Sequence, residues 1–551
     1  MSWSSKTFIG EVRKLDQKRK ETNALLLPSW LEHRPLVTTV ELELNLPNLN
    51  DNTGDLDRLT KALKAGGYDP IHLNPLQISR YVAKTRQHQF EIKAVLGNAL
   101  CHWDLIELLP PSSRSPILGI ALDLGTSSLA FYLVDLNNRK ILKEISTPNP
   151  QIGIGEDILT RILFSREDDN KRQLQHLLLE AFNQTVLSML SEDGFLPADV
   201  YAVTVAGNTT MSHLLLGLDA TTICKEPYIP AVNRFPFYHA RDLDLRVHPD
   251  ALVYIFPNVG SYFGGDLIAG ILASGMHHSE ETSILVDVGT NAEVVLGNRD
   301  WLIACAGAAG PALEGGVVER GMMAAPGAID RIRIDPGSLE LSYHVIGEGK
   351  PRGICGSGLI DLVAEMFNAG ILTIQGKINR RIDFSRIVAT TDGPGYVVVQ
   401  AKETLDERDL VISEIDIGIF LKSKAAMYTI LTVIANKVGL HFEDLKHFYV
   451  AGTFGNYIDP SMAIRIGMIP DLPLSTYQGM GNTAGCGAVM LLLDRHLLED
   501  IERVCSQITY VELNVNMELM NEFRGALFIP HTDPKLFPSV QIPERALGKV
   551  S

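Results

Sequence analysis

The pattern of apolar and polar positions changes character twice along the chain. Over Thr38–Leu46, Val40, Leu42 and Leu44 alternate as in a strand, and over Asp51–Ala65 a helix carries Leu56, Leu59 and Leu63 on one face. Phe90–Leu96 predicts another strand before the Pro110-Pro111-Ser112-Ser113 tract breaks the pattern, which puts a boundary near Pro116. From there strands and helices alternate at greater length. Ile117–Leu124 is a nearly continuous apolar run ending in Asp-x-Gly, the pattern of a buried strand feeding a polar turn. Ser128–Leu136 and Ile141–Thr147 predict two more strands with Asn137-Asn138 as their hairpin turn. A helix over Gln173–Leu190, a strand over Val200–Val205 and a helix after Gly207 follow.

The same order then repeats. Ser283–Val288 is again an apolar strand ending in Asp-x-Gly, and Ala292–Gly297 and Trp301–Ala306 continue it. Helices are predicted over Gly356–Ala369 and from about Glu414 to Val438, and strand Phe448–Val450 runs into Ala451-Gly452. Two copies of strand–strand–strand–helix–strand–helix imply an α/β architecture of two similar lobes facing a cleft. The second copy carries an insertion between Gly310 and Glu414, with strand character around Ile332–Val345. The expected organisation is a basic arm over 1–37, a small α+β middle domain with its linker over 38–115, lobe I over 116–281, lobe II over 282–530 and a tail over 531–551. The arm, with Arg13, Lys14, Lys18, Arg19 and Lys20, is read as a solvated helix, a docking arm being the other reading.

Composition narrows the function classes. The chain has 551 residues, with 49 Lys and Arg against 65 Asp and Glu, a formal charge of −16. An acidic protein lacks the cationic surface that duplex nucleic acid requires. Apolar residues make up 46%, enough for sizeable cores and against bulk disorder. No run approaches the length of a membrane helix, Ala425–Leu440 being broken by Asn436-Lys437, and Met1–Gly10 lacks a secretion signal. The six cysteines, Cys101, Cys224, Cys305, Cys355, Cys486 and Cys505, form no Cys-x-x-Cys pair, and no His grouping has a zinc spacing. His277-His278 is expected in a solvated turn. A cytoplasmic protein without membrane or nucleic-acid partners is the expectation.

The chemistry lies in the repeated turns. The first copy reads Asp123-Leu124-Gly125-Thr126-Ser127-Ser128 and the second Asp287-Val288-Gly289-Thr290-Asn291. Glycine lets a turn approach an anion with no Cβ in the way, and turn hydroxyls and N–H groups cradle phosphate oxygens. The carboxylates of Asp123 and Asp287 cannot meet a phosphate directly, but they suit the water shell of Mg²⁺. A single Asp-x-Gly-Thr occurs by chance in hairpins; two, each closing the first strand of a duplicated unit, specify phosphate binding. The strand end at Gly452, Thr453 and Gly455 then lets adenine or ribose approach the backbone, and Gly207-Asn208 is its equivalent in the first copy.

Three further candidates carry two readings each. Gly356 and Ser357 open a helix, where free N–H groups meet a phosphate or ribose or where the glycines serve close packing. Asp266 is either a helix cap or the base that orients an attacking water. Glu314 either contacts a ribose or caps a helix. No P-loop signature and no strand-then-G-x-G-x-x-G unit occurs, so neither a P-loop nucleotidase nor a dinucleotide enzyme is expected.

These turns resemble those of the actin-like ATPase superfamily of sugar kinases, heat-shock chaperones and actin, a duplicated RNase H-like fold. A closer resemblance is to the reductive activators of corrinoid proteins. It is carried by Gly119–Thr126, Asn149–Asp157, Val205–Met211, Val286–Asn291, Ala309–Gly315, Cys355–Asp361 and Ala451–Pro460. It implies an ATP- and Mg²⁺-dependent enzyme, often dimeric, that returns the corrinoid cobalt of a methyltransferase system, such as an O-demethylase, from Co(II) to Co(I). Members usually bear an iron–sulfur domain. A cluster needs four closely spaced Cys ligands, which this chain lacks, so an external ferredoxin- or flavodoxin-like donor is expected. A small-molecule kinase of the same superfamily, or a nucleotide-gated scaffold, are the competing readings.

Overall fold

A computed structural model of the chain describes residues 25, 27–289, 292–307, 316, 318–347, 349–382, 385–391, 393–511 and 517–547. The basic stretch Arg13–Lys20 lies outside them, as do Thr290, Asn291 and Glu314. Two compact units are present: Leu27–His277 with Thr483–Gln507, and His278–Asn482 with the segment from Ile508.

The first unit opens with β1 (Val37–Glu43), β2 (Ile71–His72), β3 (Glu91–Asn98) and β4 (Trp103–Leu109), in the order β1-β3-β4-β2. Helices Asp55–Ala65 and Ile78–Gln87 lay Leu59, Leu63 and Tyr81 onto this sheet, where they are buried with Ile92, Leu96 and Leu105. A six-stranded sheet follows, formed by β5 (Leu118–Leu124), β6 (Ser128–Asp135), β7 (Lys140–Pro148), β8 (Val200–Gly207), β9 (Tyr238–His239) and β10 (Leu252–Ile255), in the order β7-β6-β5-β8-β10-β9. The central strands β5 and β8 are almost wholly buried, as continuous apolar runs require, whereas edge strand β7 alternates exposed and half-buried positions. Helix Asp168–Glu192 packs Leu174, Leu178, Phe182 and Val186 into the core against β6 and β7, with the rings of Phe182 and Phe131 5.9 Å apart.

The second unit repeats this order. Its strands are β11 (Ser283–Val288), β12 (Ala292–Gly297), β13 (Leu302–Gly307), β14 (Ala328–Ile334), β15 (Leu341–Val345), β16 (Gly353–Ile354), β17 (Ile387–Thr390), β18 (Gly393–Val399), β19 (Leu410–Ser413), β20 (His447–Ala451), β21 (Tyr477–Gly481) and β22 (Ile508–Tyr510). Its main sheet runs β21-β20-β11-β12-β13-β22, so β13-β12-β11-β20-β21 matches β7-β6-β5-β8-β10 strand for strand. The expected strand around Ile332–Val345 is a hairpin: Asp335 Oδ1 accepts from the backbone N–H groups of Gly337 and Ser338 and closes a turn between β14 and β15. The insertion thus supplies two small sheets, β15-β14-β16 and β17-β18-β19.

Three expectations need revision. Helix Thr483–Leu493 falls inside the range 282–530 expected for lobe II but packs in the first unit, against β5, β8 and helix Gly265–Ser274. The Ala269 carbonyl sits where a Cβ on Gly487 would be, at 2.3 Å, so this seam is closed by a glycine. Residues 531–547, expected as a tail, bury Phe537 and Ala546 in the core of the second unit. His277 is buried, not solvated: the helix Gly265–Ser274 ends at Gly275 with φ 71°, and the chain folds back until His277 Nδ1 lies 3.2 Å from the Ile271 carbonyl.

Helix Glu414–Lys437 is long and apolar enough to cross a membrane by composition, yet most of its surface is buried in the second unit. Its Lys424 donates to the carbonyls of Ala526, Phe528 (2.7 Å) and Pro530 (2.7 Å). Burial pushes this amine well below the usual lysine range. Three carbonyl acceptors nevertheless match the three donors of the ammonium form.

Candidate functional site

The first Asp-x-Gly turn stands where β5 leaves the sheet. Parallel pairing sets Asp123 opposite Ala206 and Leu124 opposite Gly207 of β8. A Cβ on Gly207 would lie 2.9 Å from that of Leu124, and one on Gly125 would lie 2.5 Å from the Ser128 carbonyl oxygen, so only glycine fits either place. The turn is held from one side through its carbonyls. Asn149 Nδ2 donates to the Gly125 carbonyl (2.8 Å) and the Asn149 backbone N–H to that of Ser127 (3.0 Å). Arg161 Nη2 donates to the Thr126 carbonyl (2.8 Å). In a planar trans peptide the N–H points opposite to the C=O. Tying back three successive carbonyls therefore turns the next N–H groups toward the other side, as an anion cradle requires.

Asn208 couples this turn to the following helix. Its Oδ1 accepts from the N–H of Met211 and caps helix Thr209–Leu215, while its Nδ2 donates to Thr126 Oγ1 (3.0 Å). Gly264 lies against the same place, since a Cβ there would fall 2.4 Å from the Asn208 Cα. That contact seats helix Gly265–Ser274, whose second residue, Asp266, accepts from the N–H of Leu267 (2.9 Å). Gly125, Thr126, Gly207, Asn208 and the helix bearing Asp266 thus meet in one unit. Asp123 and Asp266 are half-buried, while Ser127 and Ser128 are exposed.

In the second unit, pairing sets Asp287 opposite Ala451 of β20, the register of Asp123 and Ala206. Gly452 follows with φ 78°, where a Cβ would approach Asp287 Oδ1 to 3.2 Å. A Cβ on Gly455 would lie 2.3 Å from the Val450 carbonyl oxygen, and Gly289 is half-buried after β11. The Thr453 side chain lies outside the described residues. Gly356 and Ser357 open helix Gly356–Asn368 of this unit, at a packing seam. Ser357 is buried with its hydroxyl donating to the Asp330 carbonyl (3.2 Å), and a Cβ on Gly358 would lie 2.3 Å from the Ile329 carbonyl oxygen.

Two sets of side chains escaped the sequence reading. Arg161 is fully buried and also donates to the Gly155 carbonyl (2.8 Å) and Gln151 Oε1 (3.3 Å), and burial lowers its pKa. Its signal was a lone arginine in the apolar run Ile158–Phe164. The second set joins the Cys355–Asp361 and Ala451–Pro460 strings. Arg333 donates to Asp361 Oδ2 (3.0 Å) and Asp459 Oδ2 (3.1 Å). Burial pushes the Asp361 carboxyl up to about 6 against the pull of Arg331 and Arg333. For Asp459 burial acts in the same sense but is outweighed by Ser461 and the two guanidiniums, which hold it below the usual range.

Three family regions match in register with this architecture: the RACo linker region over residues 30–113, the RACo middle region over 118–279, and the C-terminal ASKHA domain of RACo over 281–541. A solved structure of a reductive activator for corrinoid, iron–sulfur protein superposes with a TM-score of 0.85 at 36% identity, covering 95% of this chain and 84% of that one. The chain belongs to the RACo family. Among curated proteins, the corrinoid activation enzyme RamQ of Eubacterium limosum is 29% identical over 428 residues, 76% of this chain and 72% of RamQ. The [Co(II) methylated amine-specific corrinoid protein] reductase of Methanosarcina barkeri is 27% identical over 445 residues, 74% of this chain and 75% of the reductase. In RACo terms the sheet β1-β3-β4-β2 is the linker region, and the name middle region, expected for 38–115, belongs to the first copy of the repeated α/β unit.

Proposed function

We propose that this RACo protein is an ATP-dependent reductive activator of a corrinoid protein. It couples hydrolysis of Mg·ATP to the return of corrinoid cobalt from Co(II) to Co(I), with electrons from an external ferredoxin- or flavodoxin-like donor. The observation that carries this reading is the pair of Asp-x-Gly turns set in one register, Asp123 against Ala206 and Asp287 against Ala451, in a chain whose regions match RACo along most of its length.

The residues fit a nucleotide. The turn at Gly125 admits no Cβ and has three successive carbonyls tied back, and the strand-end carboxylates of Asp123 and Asp287 are donors suited to the water shell of Mg²⁺. Gly125, Thr126, Ser127 and Ser128 take phosphate oxygens on this reading, as do Gly289, Thr290 and Asn291. Gly207 and Asn208 support the first turn, Gly452, Thr453 and Gly455 receive the nucleoside with Glu314, and Asp266 orients the attacking water. ATP supplies the free energy. For a one-electron couple, about 59 mV of uphill potential is a tenfold penalty, about 1.4 kcal/mol.

An external donor is favoured by the cysteines. The six lie far apart in the sequence, without the close spacing that a four-cysteine cluster needs, and all are free thiols. The same free thiols favour a reducing cytoplasm, and a homodimer belongs to the same reading. The test is phosphate release from Mg·ATP with and without a Co(II) corrinoid protein, followed by its visible spectrum under a low-potential reductant. Stimulated release with appearance of Co(I) is the expected result. Release that ignores the corrinoid protein and rises with a sugar or carboxylic acid acceptor would overturn it.

A further inference from the structure

Three carboxylates are buried where the linker and middle regions meet within the first unit, and they are neutralised differently. Glu107 receives Lys84 (2.7 Å) and Arg80, and Asp250 receives Arg241 and Asn74 Nδ2 (2.9 Å). Asp104 has neither. Its side chain is 6% exposed and faces three imidazoles: His72 Nδ1 at 2.5 Å, His102 Nε2 at 3.4 Å and His239 Nε2 at 3.6 Å. Among the described residues no Lys or Arg pairs with it. An ionised carboxylate taken out of water requires hydrogen bonds or a paired charge, and among the described residues the side chains that offer them to Asp104 are these imidazoles.

The backbone dictates this convergence. Parallel pairing sets His72 of β2 directly opposite Asp104 of β4, and His102, two residues earlier, projects to the same face. His239 arrives from the middle region, held on β9 opposite Leu252 of β10. Asp242 fixes the backbone of this position, its carboxylate accepting from the His239 backbone N–H (2.8 Å), and His102 Nδ1 lies 3.4 Å from Cys101 Sγ.

We propose that His72, His102, Asp104 and His239 bind one divalent transition-metal ion of the zinc class and clamp the linker region to the middle region. Three nitrogens and one oxygen form a tetrahedral donor set for that class, with ligand atoms about 3.3 Å apart at bond lengths of about 2.0–2.1 Å. His72, His102 and Asp104 have their ligand atoms all within 4.8 Å of one another, while His239 Nε2 faces the other Asp104 oxygen at 3.6 Å and turns inward on binding. None of these residues belongs to the nucleotide turns, so the inference stands or falls apart from the proposed activity.

The test is equilibrium dialysis of the chelator-treated full chain against Zn²⁺, with metal content by elemental analysis. The expected result is one tightly held Zn²⁺ per chain and a Tm that rises with Zn²⁺. His72→Ala, at a half-exposed position, and His239→Ala are each expected to weaken binding at least about tenfold and to abolish the Tm rise. No stoichiometric Zn²⁺ in the wild type, or unchanged affinity in His72→Ala, would overturn the site. Should His239→Ala not fold, Co²⁺ in the wild type decides: intense tetrahedral visible bands support the site, and the pale aqua-ion spectrum overturns it.

Discussion

The first and second Asp-x-Gly turns share a register and differ in what stands behind them. Behind the first are side chains: Asn149 and the fully buried Arg161 take three successive carbonyls, and Asn208 takes the Thr126 hydroxyl. Beside the second is a glycine in the left-handed region, Gly452, where a Cβ would come within 3.2 Å of the Asp287 carboxylate. Duplication preserved the backbone solution, a strand-end carboxylate beside an Ala-Gly strand end. The first turn rests on hydrogen-bond donors as well as on glycines that admit no Cβ, and at the second the described residues show a left-handed glycine beside the carboxylate.

The largest effect that this difference predicts is at Arg161. Arg161→Ala strands the carbonyls of Thr126 and Gly155 without their donor, at a cost of about 2–3 kcal/mol. ATP turnover is expected to fall at least tenfold while the second unit keeps its fold, as read by hydrogen exchange of β11 and β20. Turnover within twofold of wild type would show that the turn holds itself. Gly452→Ala comes next. A non-glycine residue at positive φ costs about 1–2 kcal/mol, and here the added methyl also presses on Asp287. Weaker nucleotide binding together with a Tm lowered by a few degrees is expected; a change in Tm alone would make Gly452 a folding residue only.

The smallest effect concerns pH. His213 is buried on helix Thr209–Leu215, behind Asn208, with Nδ1 directed at the Thr209 carbonyl (2.7 Å) and Nε2 accepting from the N–H of Val232 (3.2 Å). Burial lowers its pKa below the ordinary value of 6.5. Below about pH 6.5 the unfolded chain binds this proton and the folded one resists it. The contribution is therefore complete above that pH and is lost as pH falls toward the depressed folded value. Thermal melts at pH 7.5 and 5.5 are expected to differ by less in His213→Gln than in wild type; an equal difference would remove His213 from the account.

Much of this was legible in the sequence because it is local. Periodicity and the two Asp-x-Gly strings located β5, β6, β8, β11 and β12 to within a residue or two, and their repetition showed the duplicated fold. What stayed hidden depends on distant pairing. Arg161 meets Thr126 across 35 positions, and Asp104 gathers histidines from positions 72, 102 and 239, spacings that no zinc pattern describes. Helix Thr483–Leu493 reads as the continuation of lobe II because chain order says nothing of which sheet an all-apolar helix covers. The two readings of Gly356–Gly358 were equally legible as a string. The seam with β14 shows how the packing role is filled, by glycines that admit a carbonyl and a serine that bonds to backbone.

The central claim is that ATP drives cobalt reduction through both turns, and Asp287→Ala tests it most directly. The variant removes one strand-end carboxylate and leaves the supported first turn intact. The variant is expected still to bind the Co(II) corrinoid protein, as read by co-elution, but to lose ATP-stimulated appearance of Co(I). Unchanged ATP stimulation in that variant would contradict the claim.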